Sequence, residues 1–486
     1  MSARVLAPFA ALLLLGAAPA PPRVTVPGGT VEGASVEDGA LVFQGIPYAA
    51  PPLAQLRWTA PQPVRAWQGV RPAKVRAPAC PQNDDGWNRT DAAHYSEDCL
   101  TLDIRTPGLR GKRPVMVWIH GGSNRAGSAG GMVASRITRE GVVLVAIQYR
   151  LGVLGFLAPR QAAVNGTAGN YGLMDQIAAL RWVRANIARF GGDPDQVTLF
   201  GESAGSQDVS LMLAAPDARD LFKRAILQSG TPGFGQPFRP LRDAFAIADQ
   251  AERLAGGQGL AGLRGAPVKQ LLKIDTKLSD PSLHTNGFLW LKTTIDGRVL
   301  PESPRRLLAK APRKPVIIGT NRAEFGPKDG ATDITETLQR VYGPRAAEAQ
   351  RLYAFGTPGR DPRLGHPALE IETDWVFRCP AITLATQLVR QGWPVWSYEF
   401  DLAPDGGLTS HAIEIPYVMD ARPIGDGASL QDYWVNFALR GDPNGGALPR
   451  WPAFSADARR YLAITPKGVE AAEKLRTEIC ALRNEI

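Results

Sequence analysis

Three apolar runs organise this chain: Val115-Met116-Val117-Trp118-Ile119-His120, Val142-Val143-Leu144-Val145-Ala146-Ile147 and Val197-Thr198-Leu199-Phe200. They lack the alternation of a half-exposed strand, so each predicts a strand covered on both faces, as in a parallel sheet. Between the second and third the period changes. Leu173, Ile177, Leu180, Val183 and Ile187 recur at three- and four-residue steps, which predicts a helix ended by Gly191-Gly192. Ala225-Ile226-Leu227, Val316-Ile317-Ile318 and Val395-Trp396-Ser397-Tyr398 predict further strands. Strand and helix alternate through this span, which predicts an α/β fold, a mostly parallel central sheet with helices on both faces. Residues 31–70 are short-stranded and proline-rich around Phe43-Gln44-Gly45-Ile46-Pro47-Tyr48-Ala49. Residues 232–297 are loosely patterned and read as helical, a segment suited to covering or lining a site.

The third run stops at Gly201, and a helix-compatible stretch resumes beyond Gly205. Gly201-Glu202-Ser203-Ala204-Gly205 therefore reads as a sharp strand-to-helix turn that carries a serine. Its glycines suit a strained turn packed close to its neighbours. The helix beyond aims free N–H groups at the serine, where negative charge develops in acyl transfer. In a chain with 51 glycines, an ordinary Gly-rich turn explains the motif equally well when it is taken alone.

A serine hydroxyl barely ionises near neutral pH, so it needs a histidine base and an acid to orient that base. Of the five histidines, His94 sits beside a cysteine loop, His120 ends a strand beside glycines, and His284 and His366 lack a catalytic context. His411, in Leu408-Thr409-Ser410-His411-Ala412-Ile413-Glu414, fits the chain order serine, acid, histidine. The acid should follow a strand between Ser203 and His411. Glu324, just past Val316-Ile317-Ile318-Gly319-Thr320-Asn321, is favoured; Asp329 competes from further into the loop, and Asp296 precedes the strand. His120-Gly121-Gly122-Ser123 has the composition of a loop whose backbone N–H groups hold an oxyanion.

Composition alters this picture in three places. The 486 residues, 44% hydrophobic and 21% charged, describe a globular chain with a substantial core. The net charge of +9 is dispersed with no run of five or six basic residues, which argues for a solvated basic surface and against nucleic acid as a partner. Residues 1–20 read as a secretory signal: Arg4, an apolar stretch through Leu12-Leu13-Leu14-Leu15, then small residues. Pro19, Pro21 and Pro22 crowd its cleavage point, and no other uncharged run approaches a membrane span. Residues 21–486 then form one domain, secreted or periplasmic. Four cysteines in such a compartment suggest two bridges, with three pairings open, and no Cys-x-x-Cys spacing suggests zinc or redox chemistry. Asn88-Arg89-Thr90 and Asn165-Gly166-Thr167 are sequons, meaningful only in a eukaryotic secretory pathway.

The elbow, the Gly-rich loop and the serine–acid–histidine order together resemble the type-B carboxylesterases of the α/β-hydrolase fold, the family that also contains the cholinesterases. Phe43-Gln44-Gly45-Ile46-Pro47-Tyr48-Ala49, Ser96-Glu97-Asp98-Cys99-Leu100, Gly169-Asn170-Tyr171-Gly172-Leu173-Met174-Asp175-Gln176 and Phe190-Gly191-Gly192-Asp193-Pro194 extend the resemblance through most of the chain. It implies Ser203 as nucleophile, Glu324 as acid and His411 as base, with Gly122, Ser123 and Ala204 as oxyanion donors. Two positions depart from the family pattern: Ala323 stands where Asp is usual, and Ala412 where Gly is usual. The resemblance further implies bridges Cys80–Cys99 and Cys379–Cys480, no cofactor and no metal, and a small-molecule carboxylic ester as partner. Two other readings share the scaffold. A non-catalytic binding protein would lack the serine or its partners, which are present here. A cholinesterase-like enzyme would use a tryptophan in the first cysteine loop; Trp87 lies there, at a different spacing from Cys99.

Overall fold

The structure, a computed structural model, describes residues 20–484 apart from 284, 327–332, 356–357, 359, 404–405 and 426. The expected signal segment (save residue 20), His284 and the competing acid Asp329 therefore lie outside the described residues.

Eleven strands make one sheet. They are β1 (Ala34–Ser35), β2 (Leu41–Pro47), β3 (Thr101–Thr106), β4 (Arg113–Ile119), β5 (Val143–Ile147), β6 (Gly192–Glu202), β7 (Arg224–Gln228), β8 (Val316–Asn321), β9 (Val395–Phe400), β10 (Tyr461–Thr465) and β11 (Gly468–Ala472). Their spatial order is β11-β10-β9-β8-β7-β6-β4-β5-β3-β2-β1. From β5 to β10 every neighbour is parallel, and the strands at both edges are antiparallel.

The near-continuous apolar runs fall in the parallel part because both faces there are covered. Along β4, Val115, Val117 and Ile119 join one core with Val143, Val145 and Ile147 of β5, while Met116, Trp118, Leu144 and Ala146 enter the opposite one. Helices α1 (Tyr171–Asn186), α2 (Ala204–Ala214) and α3 (Cys379–Arg390) supply apolar residues to the first face, and α4 (Leu430–Arg440) to the second. Each such side chain fully buried contributes about 1.5–3 kcal/mol, so the two faces dominate the packing energy. As the spacing predicts, α1 trails into a 3₁₀ turn that Gly191 caps in the left-handed region.

The C-terminal ends of β4, β6, β8 and β9 share one edge of the sheet, where ligands of open α/β sheets bind. The Gly121-Gly122-Ser123 loop, Ser203, Glu324 and His411 all follow those ends. Among its described residues the stretch 232–297 contains three α-helices, Leu241–Leu254, Gly259–Gly265 and Val268–Asp275, and two 3₁₀ turns. Its Phe234, Phe288 and Leu291 pack with Ala204, Val376 and Phe377, so it does wall the site. Asp296 instead closes a local turn by accepting the amides of Arg298, Val299 and Leu300, which removes it as a candidate acid.

Cys80 is bonded to Cys99 and Cys379 to Cys480. Among the described residues no helix is long and apolar enough to cross a membrane. Of the two sequons, Asn88 is buried and donates to Gln82 and to the carbonyl of Asn83, whereas Asn165 is exposed.

Candidate active site

Strand β6 ends at Glu202 and α2 begins at Ala204, leaving Ser203 alone in the turn at φ 56°, ψ −124°. A non-glycine residue there is strained, and the surroundings hold it: its amide donates to the Gln228 carbonyl on β7 at 2.9 Å, and its carbonyl accepts from Gln207 at 2.9 Å. Gly205 has a direct steric reason. A Cβ at that position would lie 2.1 Å from the Ile119 carbonyl oxygen, so any side chain would push α2 off β4.

Two loops meet beyond the sheet edge. The Glu324 carboxylate receives the Asn321 amide on Oε1 at 2.7 Å and faces Nδ1 of His411 with Oε2 at 2.7 Å. Backbone bonds fix both partners, since the His411 amide donates to the Glu324 carbonyl at 3.1 Å and Ala323 to Thr409 at 3.3 Å. Thr373 Oγ1 accepts the Glu324 amide at 3.1 Å, and Arg378 donates to the Arg322 carbonyl at 2.7 Å. Both belong to the π-helical turn Thr373–Arg378, whose Phe377 ring packs 5.0 Å from the His411 ring. π-turns of this kind recur at functional sites.

Nε2 of His411 lies 3.1 Å from Oε1 of Glu202, the residue before Ser203. Among the described residues no hydrogen bond joins it to the serine. Burial opposes a charge on His411, but Glu202 and then Glu324 outweigh it and raise the imidazole to about 9. Burial also pushes Glu202 up to about 8, against the attraction of His411 and with help from Glu414 and Glu324. Glu414, raised chiefly by its burial, is held by Gln228 Nε2 at 3.1 Å and Asn321 Nδ2 at 2.7 Å. Three buried carboxyls thus surround one imidazole.

The loop after β4 reaches the serine from the other side. A Cβ on Gly121 would stand 3.0 Å from that of Ser203. Gly122, Ser123 and Asn124 all have positive φ, at 101°, 58° and 56°. The amides of Gly122 and Ser123 donate to no group among the described residues. That of Ala204, first in its helix, has no intrahelical acceptor. Together they form a set of unpaired donors beside Ser203. At Gly122 a Cβ would collide with the Ala126 carbonyl at 2.2 Å, so only glycine fits there. Trp87, 65% exposed, lies over this loop, and Phe325, 69% exposed, flanks His411 with ring centroids 6.2 Å apart; the two mark a rim open to solvent.

The other described histidines, His94, His120 and His366, serve the fold. Burial lowers His120 to about 4, keeping it neutral, and its ring stacks on Tyr149. His366 caps helix Pro367–Glu372, and His94 faces the Thr90 carbonyl. Among the described residues no three His, Cys, Asp or Glu side chains form a metal-ligand group. Sequence reasoning assigned nothing to Glu202, Glu414 or Thr373. An acidic residue at the end of an apolar strand, and another one helical turn past the histidine, are the signals that point to the first two.

The carboxylesterase family model matches residues 20–483. Liver carboxylesterase 1 of Oryctolagus cuniculus is 34% identical, covering 100% of this chain and 97% of its own. Liver carboxylesterase of Sus scrofa is 34% identical over 96% and 93%. Among solved structures, a PNB esterase superposes with TM-score 0.80 at 31% identity, and a Geobacillus stearothermophilus carboxylesterase with TM-score 0.81 at 32%. Each pair covers 95% of this chain and 99% of the other. The span of the family model includes every strand of the sheet and the four segments at its edge. The chain belongs to the carboxylesterase family of α/β hydrolases and is a carboxylic-ester hydrolase.

Proposed function

We propose that the chain is an exported serine esterase working through an acyl-enzyme. Ser203 Oγ attacks the acyl carbon of the ester while Nε2 of His411 takes its proton. Glu324 keeps Nδ1 protonated and stabilises the imidazolium that forms, and the amides of Gly122, Ser123 and Ala204 receive the oxyanion. His411 then protonates the departing alcohol. Water, deprotonated by the same imidazole, attacks the acyl-enzyme and releases the carboxylic acid and free Ser203. At rest Nε2 faces Glu202, so this path calls for the imidazole and the serine hydroxyl to close on one another once substrate is bound, as catalytic hydrogen bonds often do.

The buried 2.7 Å contact between Glu324 and His411 supports this reading most directly. Ser203→Ala should abolish both turnover of p-nitrophenyl acetate and labelling by a fluorophosphonate probe; a variant still active, or labelled at another serine, would refute the assignment. The substrate is a small carboxylic ester, and a series of p-nitrophenyl esters would rank its acyl chains against the wall formed by Phe234, Leu291, Val376 and Phe377. The two bridges suit an oxidising compartment, so residues 1–20 act as a signal and 21–486 as the secreted or periplasmic enzyme. N-terminal sequencing of exported protein should start between Pro19 and Arg23, and a retained Met1 would contradict export by cleavage.

A further inference from the structure

Beneath the oxyanion loop lies a carboxyl with no part in the proton path. Asp208, one turn after Ala204 on α2, is fully buried. Three side-chain amides converge on it. Gln176 of α1 donates to Oδ2 at 2.5 Å, while Asn124 and Gln207 donate to Oδ1 at 3.3 and 3.5 Å. Burial pushes this carboxyl up to about 7, and the three donors keep it from rising further.

Asn124 is where the loop is tied down. It follows Ser123, and both occupy the left-handed region, a costly conformation that persists only where the surroundings over-determine it. The Asn124 carbonyl accepts the Gly152 amide at 2.7 Å. Its Oδ1 faces the Tyr149 hydroxyl at 3.3 Å, and that hydroxyl donates to the His120 carbonyl at 2.7 Å. With Oδ1 turned to Tyr149, Nδ2 points at Asp208. One side-chain bond therefore spans the two separate elements that carry the free amides, α2 with Ala204 and the loop with Gly122 and Ser123.

We propose that Asp208 is a positioning residue for the oxyanion hole, holding its loop half in register with its helix half through the side chain of Asn124. The proposal rests on the Ser203 mechanism above. Its chemistry is that of the ionised carboxyl, which prevails above about pH 7 and offers acceptors alone to three NH₂ groups. Asparagine at 208 would turn an NH₂ against that of Asn124 or Gln176, so this near-isosteric change breaks the link.

The test compares Asp208→Asn, Asn124→Gly and the double variant. Glycine at 124 keeps the positive φ and removes only the side chain, so it reports on the link even where Asp208→Asn folds poorly. Each variant, checked by circular dichroism, is assayed with p-nitrophenyl acetate and with an aryl trifluoromethyl ketone, whose adduct with Ser203 carries the oxyanion. Each single change should lower kcat ~10–100-fold with KM within about threefold, below the ~10²–10³-fold loss of a whole oxyanion donor. The ketone's inhibition constant should rise by the same factor, and the double variant should be no worse than the worse single one. A merely structural role would not link kcat to ketone affinity in this way. Folded variants with wild-type kcat, a fall in kcat without a change in ketone affinity, or losses that multiply in the double variant would each overturn the proposal. Turnover surviving in Ser203→Ala overturns the nucleophile assignment and this proposal with it. Loss of turnover there, beside full activity in Asp208→Asn, overturns this proposal alone.

Discussion

Glu202→Gln preserves the size of the side chain facing Nε2 of His411 and removes its charge. His411 stands at about 9, against an ordinary 6.5, because Glu202 leads the groups that overcome burial, ahead of Glu324. An opposite charge at this distance is worth ~1–3 pH units, so removing that of Glu202 should move the acidic limb of kcat/KM down by ~1 pH unit or more. The sign follows from the role of the base: a less basic imidazole is already neutral, and so active, at lower pH. One pH unit corresponds to about 1.4 kcal/mol. The same attraction favours the imidazolium formed in the transition state, so the plateau kcat should fall ~10–100-fold. The assay is initial rate against pH from about 4 to 10 at constant ionic strength, with circular dichroism to confirm the fold. A limb that stays in place or moves upward would refute the reasoning. It would mean that Glu202, itself pushed up to about 8 by burial, carries its own proton and lends His411 no charge.

Four further outcomes rest on the geometry. Ser123→Ala should change kcat by less than about threefold, because the proposed oxyanion contact is made by its main chain, whereas β-branched Ser123→Val at φ 58° should cost ~100-fold; an alanine loss of that size would make the hydroxyl catalytic. The Gly121-Gly122-Ser123 loop, with no side chain larger than a serine, should admit tert-butyl acetate, and its absence as a substrate beside good activity on ethyl acetate would refute that. Glu324→Gln should lower kcat ~10³–10⁴-fold and Asp329→Asn little; the reverse pattern would move the acid into the loop. Removing the Cys379–Cys480 bridge with a double serine variant opens a loop of 101 residues, for about 4–5 kcal/mol on the chain-entropy account. A melting temperature within one degree of the parent would show that the unfolded chain gains nothing from the cut.

What the sequence displays is what short-range pattern controls. The central strands are legible because burial on both faces leaves apolar runs, as at β4 and β5. The elbow and oxyanion loop are legible because close backbone contacts demand glycine. Edge strands are not: β11, Gly-Val-Glu-Ala-Ala, is half exposed and carries no apolar run. The turn Thr373–Arg378 looks like ordinary helix in sequence, since its widened hydrogen bonding depends on what it packs against. Glu202 was visible as part of a motif, but its closeness to His411 arises only when β6 and the loop beyond β9 share a sheet edge. Asp208 and Asn124 lie far apart in the chain and meet for the same reason.

That dispersal bears on how activity is acquired during folding. The four segments at the sheet edge are contributed by strands from Arg113 to Phe400, and Glu324 meets His411 across 87 positions of sequence. Parallel pairings of this kind form slowly, because long loops must be closed before any contact rewards them. No fragment holding Ser203 alone can bring in the proposed base. Recovery of esterase turnover after dilution from denaturant should therefore lag the return of helical signal. Turnover then serves as a clock for the last long-range strand pairing, a stage that backbone spectroscopy alone would miss.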